Sequence, residues 1–145
     1  MDAEASRQQF ANHEERTGLL MAEVSNAMVR LYKELFGRGP TKTRTHFAGP
    51  DLLVSTLENS LTPIERTMVA AGEHERVRDL RMHFQYISEA DFTGVVEEIT
   101  GRKVRAFVSG MDIEHDIASE LFYLEPNAQG VGGLHHDGSA GTRRS

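Results

Sequence analysis

Two short basic runs are the first residues in this chain that could do chemistry. Arg38, Lys42 and Arg44 follow Gly37, and Arg102, Lys103 and Arg105 follow Gly101. Arginine and lysine supply charge and hydrogen-bond donors for an anion. If the two runs meet in the fold, they form one anion-binding surface. The same charges also suit helix C-terminal dipoles and a solvated strand face, so the sequence accommodates both readings. The stretch Gly37-Arg38-Gly39-Pro40-Thr41-Lys42 is not a phosphate loop. Such a loop follows a strand and opens a helix, whereas here the order is reversed.

The second cluster is Asp112, Glu114, His115 and Asp116. Carboxylates and an imidazole are ligands for a divalent ion, but the spacing matches neither an EF-hand nor a zinc motif, and a polar turn accounts for it. His135-His136 falls in a glycine-rich tail. His46 and His83 read as surface residues, and Glu97 and Glu98 as solvated charge on a helix. Ser25, Ser55, Ser60 and Ser109 lack a nucleophile elbow. With no cysteine in the chain, thiolate catalysis, disulfides and cysteine zinc sites are excluded. No catalytic residue, metal or cofactor is assigned, and the expectation is a binding protein, not an enzyme.

The elements that must position these residues follow from periodicity. Leu20, Val24, Met28, Leu31 and Leu35 recur at helical spacing, and Met21, Val29, Tyr32 and Phe36 widen the stripe. The helix starts near His13 and stops at Gly37, before Gly39-Pro40. So wide a stripe predicts a surplus of apolar surface and self-association, a homodimer through this first helix. Residues 41–48 and 52–58 read as an antiparallel hairpin around Gly49-Pro50-Asp51. Thr62-Pro63-Ile64-Glu65 is a capping box with proline at the first helical position, opening a helix to about Ala71. One longer helix, carrying Val77, Leu80, Phe84, Ile87, Phe92, Val95 and Ile99, runs from 73 to 100. Strands at 103–109 and 117–124 complete an α+β fold, in the order α-β-β-α-α-β-β, with a four-stranded antiparallel sheet packed against long helices. Helix, Gly-Arg and hairpin occur twice, a hint of internal repetition.

The chain has 145 residues, of which 39% are hydrophobic. That suits a single domain with its own core. The expected organisation is a flexible leader over 1–12, one domain over 13–126, and a disordered Gly- and His-containing tail over 127–145. Net charge is −6, and an acidic body is poorly suited to phosphate backbones, so no nucleic acid partner is expected. The polar N-terminus lacks a signal-peptide h-region, and no apolar run is long enough to span a bilayer. The expected location is the cytoplasm.

Several segments together carry a resemblance. They are Ser25-Asn26-Ala27-Met28-Val29-Arg30-Leu31-Tyr32-Lys33-Glu34, then Phe36 to Lys42, Leu61-Thr62-Pro63-Ile64-Glu65-Arg66, and Glu98 to Val104. In this order and spacing the chain resembles the YbcI-like family, also labelled MpsC, after a Na+-translocating membrane-potential-generating system. The resemblance implies a soluble accessory or regulatory protein whose partner is a subunit of that membrane system, peripheral to the membrane through it. It brings no catalytic residue set. The alternative is a small-anion or nucleotide-binding regulator that uses the two Gly-Arg junctions.

Overall fold

Alternation in the strands and helical spacing between them build two layers. The computed structural model describes residues 2–126, so the expectation for the tail lies outside the described residues. The order is α1 (Ala3–Phe36), β1 (Lys42–Phe47), β2 (Leu52–Glu58), α2 (Pro63–Ala70), α3 (His74–Ile87), α4 (Glu89–Thr100), β3 (Val104–Asp112) and β4 (Ile117–Leu124). The sheet is antiparallel throughout, in the order β1-β2-β4-β3. The fold is therefore α+β, as the sequence predicts.

Three boundaries differ from the sequence reading. First, α1 begins at Ala3, well before His13. Residues 3–16 are all exposed, so no apolar stripe marks this part of the helix. Second, the long helix expected over 73–100 is two helices that break at Ser88. The five-residue step from Ile87 to Phe92 is the trace of that break. Third, β3 continues to Asp112, because Gly110, Met111 and Asp112 stay paired with β4.

The helices cover one face of the sheet. Leu53 and Leu57 from β2, Phe107 and Met111 from β3, and Ala118, Phe122 and Leu124 from β4 meet Val24, Met28 and Tyr32 of α1, Val77 of α3, and Phe92 and Val96 of α4. Met21, Leu31, Leu35 and Phe36 pack against the same core. The broad stripe of α1 is thus largely used within the chain. Phe10 and Leu19 are the large apolar side chains that this helix leaves exposed.

The capping box at Thr62 forms as the sequence predicts. Thr62 accepts from the Glu65 backbone, and the Glu65 carboxylate accepts from the Thr62 backbone N–H at 2.8 Å. That carboxylate has a second task. Arg81, with no exposed surface, donates to it through Nε at 2.8 Å and Nη2 at 2.7 Å. Nη2 also donates to the Ser60 carbonyl at 2.8 Å, and the guanidinium stacks 3.7 Å from the Phe36 ring centroid. Burial alone raises the Glu65 carboxyl, but hydrogen bonds from Arg81 and Thr62 outweigh it and hold the group below its ordinary value.

A buried charge stripped of its partner keeps its desolvation cost and loses its attraction. Arg81→Met is expected to destabilise the fold by about 3–5 kcal/mol in chemical denaturation, and adding Glu65→Gln should recover part of that loss. A loss in the double variant equal to the sum of the two single losses would show that the pair is not coupled.

Candidate functional site

The two basic runs do not meet. β1 and β3 are opposite edges of the sheet and run in opposite directions, so their starting points lie at diagonally opposite corners. Arg38, Lys42 and Arg44 stand at one corner, and Arg102, Lys103 and Arg105 at the other. One composite anion surface does not form.

The two arginines that follow the glycines act as clasps. Gly37 and Gly101 end α1 and α4 in the left-handed region, at φ 87° and 73°, where a side chain is disfavoured. From the next residue, Arg38 donates to the carbonyls of Asn59 and Leu61 at 3.0 and 2.8 Å. Arg102 donates to the carbonyls of Pro50 and Glu125 at 2.9 and 2.7 Å and pairs with Asp51. Asn59 and Glu125 each come directly after the second strand of a hairpin, so both arginines close the base of the hairpin that they precede. Lys42, Arg44, Lys103 and Arg105 are exposed, and Arg105 lies 5.8 Å from the Tyr123 ring centroid.

The acidic cluster builds its loop. The Asp112 carboxylate accepts from the His115 backbone N–H at 3.0 Å, and this bond holds its carboxyl below the ordinary value. Asp116 accepts from the Ser60 N–H at 2.9 Å and from the Leu61 N–H, tying the β3–β4 turn to the exit of β2.

Two features were invisible in the sequence reading. One is a polar row across the buried face of the sheet. Thr45, Ser55, Glu120 and Ser109 are neighbours on successive strands. Glu120 is fully buried; its Oε2 accepts from Tyr32 Oη at 2.6 Å and from Gln85 Nε2 at 3.2 Å. Gln85 Nε2 also donates to Ser109 Oγ, while Ser25, Thr45 and Ser55 share hydroxyl bonds of 2.8 Å.

The other is the inversion of α3. Leu80, Phe84 and Ile87 read as core positions at helical spacing, yet they are 45%, 38% and 62% exposed. The inward face carries Val77, Arg81 and Gln85 instead, because Glu65 and Glu120 lie opposite. The apolar residues are rotated to solvent and form an outward stripe beside His83 and the partly buried Met68. No signal in α3 alone distinguishes this from an ordinary amphipathic helix, since the partners of Arg81 and Gln85 are remote in sequence.

Residues 16–126 match the family model described as Na+-translocating membrane potential-generating system (MpsC). The chain belongs to the MpsC family. It is also similar to the uncharacterized protein YrhF of Bacillus subtilis (strain 168), at 32% identity over 112 residues, covering 71% of this chain and 85% of that protein. No solved structure matches. The MpsC match takes in both arginine clasps, the Glu65–Arg81 pair, the polar row and the outward stripe of α3, while the exposed start of α1 precedes it.

Removing one clasp loses hydrogen bonds from a charged donor at a partly buried site. Arg38→Ala and Arg102→Ala are each expected to cost about 1–2 kcal/mol of stability in urea denaturation. Unchanged midpoints would return both side chains to the solvated-charge reading.

Proposed function

We propose that this MpsC chain is a non-enzymatic accessory or regulatory component of a Na+-translocating system, and that it acts by docking α3 on a membrane subunit of that system. The observation that carries the reading is the inversion of α3. A helix that buries an arginine and a glutamine while turning Leu80, Phe84 and Ile87 to water breaks the usual pattern twice. Such local violations concentrate where a surface has a task, and an exposed apolar stripe on a soluble face is a docking surface by its chemistry.

The family description places the system at a membrane, and among the described residues no helix is long and apolar enough to cross one. Contribution through a contact, from the cytoplasmic side and peripheral to the bilayer, fits both facts. A small-anion regulator is less well supported, because the two Gly-Arg junctions share no surface and their arginines hold backbone carbonyls.

A photo-crosslinking residue at Phe84, with the same residue at Arg44 on the opposite side of the sheet as control, tests the contact in native membranes. The expected product from position 84 is a covalent adduct with an integral membrane protein, absent from position 44. Leu80→Asp with Phe84→Asp should weaken that capture at least tenfold, about 1.4 kcal/mol, while changing stability little, since both side chains are exposed. Adducts only with soluble proteins or with a second copy of the chain, or a double variant that binds as tightly as the wild type, would overturn the reading.

A further inference from the structure

Glu120 is a fully buried carboxyl with an uneven set of partners. Its Oε2 accepts two hydrogen bonds, from Tyr32 and Gln85, and its Oε1 accepts none. The Gln85 amide beside it has the matching defect. Nε2 donates both its hydrogens, to Glu120 and to Ser109, whereas Oε1 has no donor. Buried acceptors without donors are uncommon and call for a cause.

Acid–amide chemistry supplies one. A neutral carboxylic acid and a primary amide complete a ring of two hydrogen bonds: the amide N–H donates to the acid carbonyl, and the acid O–H donates to the amide carbonyl. The first bond is present, at 3.2 Å. A proton on Glu120 Oε1 supplies the second and satisfies both orphan oxygens at once. An ionised Glu120 cannot supply that donor, so the Gln85 oxygen stays unpaired and the carboxylate charge stays buried.

Burial without a paired cation favours the proton, against the hydroxyl donors Tyr32 and Ser109. From α1, Tyr32 faces the carboxyl, and its own ionisation is pushed up by burial and then by Glu120. From α3, Arg81 is the one charged group on the inward face, and it is committed to Glu65. From α4 the facing side chains are apolar, Phe92 and Val96. From β2 and β3 they are the hydroxyls of Ser55 and Ser109. Among the described residues, no cation pairs with Glu120.

We infer that Glu120 is held as the neutral acid and that this proton works a latch: with it, Gln85 fastens α3 to the centre of the sheet, and without it, α3 loosens. The inference does not depend on what α3 docks against. Burial pushes the Glu120 carboxyl up to about 7 from its ordinary 4.5, with the hydroxyls of Ser109 and Tyr32 pulling the other way. The folded state therefore holds a proton that the unfolded state has lost in that window. Stability contributed by this group is full below the ordinary value, falls as pH rises through the window, and levels off above it.

The test is the pH dependence of folding for wild type and Glu120→Gln, which replaces the acid by an amide able to keep the ring at any pH. Between pH 5 and 8 the wild-type folding equilibrium should weaken by on the order of a hundredfold relative to the variant. Hydrogen exchange, corrected for its intrinsic pH dependence, should quicken in α3 of the wild type above pH 7 and not in the variant. Should Glu120→Gln fail to fold, carbon NMR of the wild-type Glu120 carboxyl reads the titration directly. Parallel stability profiles, exchange that rises equally in all elements, or a carboxyl that titrates in the ordinary range would each overturn the latch.

Discussion

Arg81 is the constraint on which the helical layer depends. One guanidinium touches α2 through Glu65, the exit of β2 through the Ser60 carbonyl, and the end of α1 through the Phe36 ring. Burying it is costly, and the cost is met only because every donor direction that matters has an acceptor or an aromatic face. Once Arg81 points inward, helical spacing turns Gln85 inward as well, and Leu80, Phe84 and Ile87 outward. The exposed apolar stripe and the buried acid–amide contact are thus two results of one side chain's orientation. The capping box belongs to the same arrangement, since Glu65 could not hold its place beside Arg81 without the Thr62 turn.

Much of the architecture was legible because it rests on local chemistry. The Thr62-Pro63-Ile64-Glu65 cap, the glycine stops at 37 and 101 and the two hairpins each need only neighbouring residues, and each stands where the sequence puts it, apart from the extension of β3 to Asp112. The candidate site was less legible, because its determinants are distant pairs. Expecting apolar residues inside assigned Leu80, Phe84 and Ile87 to the core; nothing within 74–87 announces Glu65 and Glu120 as partners. Glu120 lies in Ala118-Ser119-Glu120-Leu121-Phe122, where both phases of the strand carry apolar residues, so alternation does not say which face it takes. The basic junctions misled in another way. Their spacing suggested a shared surface, but sheet order, which local pattern does not encode, sent them to opposite corners.

The repetition hinted at in the sequence has a structural counterpart. Each half runs helix, left-handed glycine, arginine, hairpin, and the halves join along β2 and β4 at the centre of the sheet. Arg38 and Arg102 make equivalent contacts one residue past the second strand of their hairpins. The polar row follows the same logic: Ser55 and Glu120 are central partners, flanked by Thr45 and Ser109. The halves differ where they must, since only one of the two central positions carries the carboxyl. The insertion of α2 and α3 between the halves supplies one of its partners, Gln85, and α1 supplies the other, Tyr32.

The early part of α1 has a mechanical consequence. From Ala3 to Arg16 the helix is exposed, a stretch of about 20 Å at the ordinary helical rise, while its later turns are rooted in the core through Val24, Met28 and Tyr32. Such an element is a lever with a fixed fulcrum. A tilt of about 10° at the root moves the tip by roughly 3–4 Å over that length. Tyr32, about two turns beyond the fulcrum at Val24 on the buried side, bonds directly to Glu120. A change of a few tenths of an ångström in the packing beneath it would therefore be displayed, magnified, at the far end of the arm.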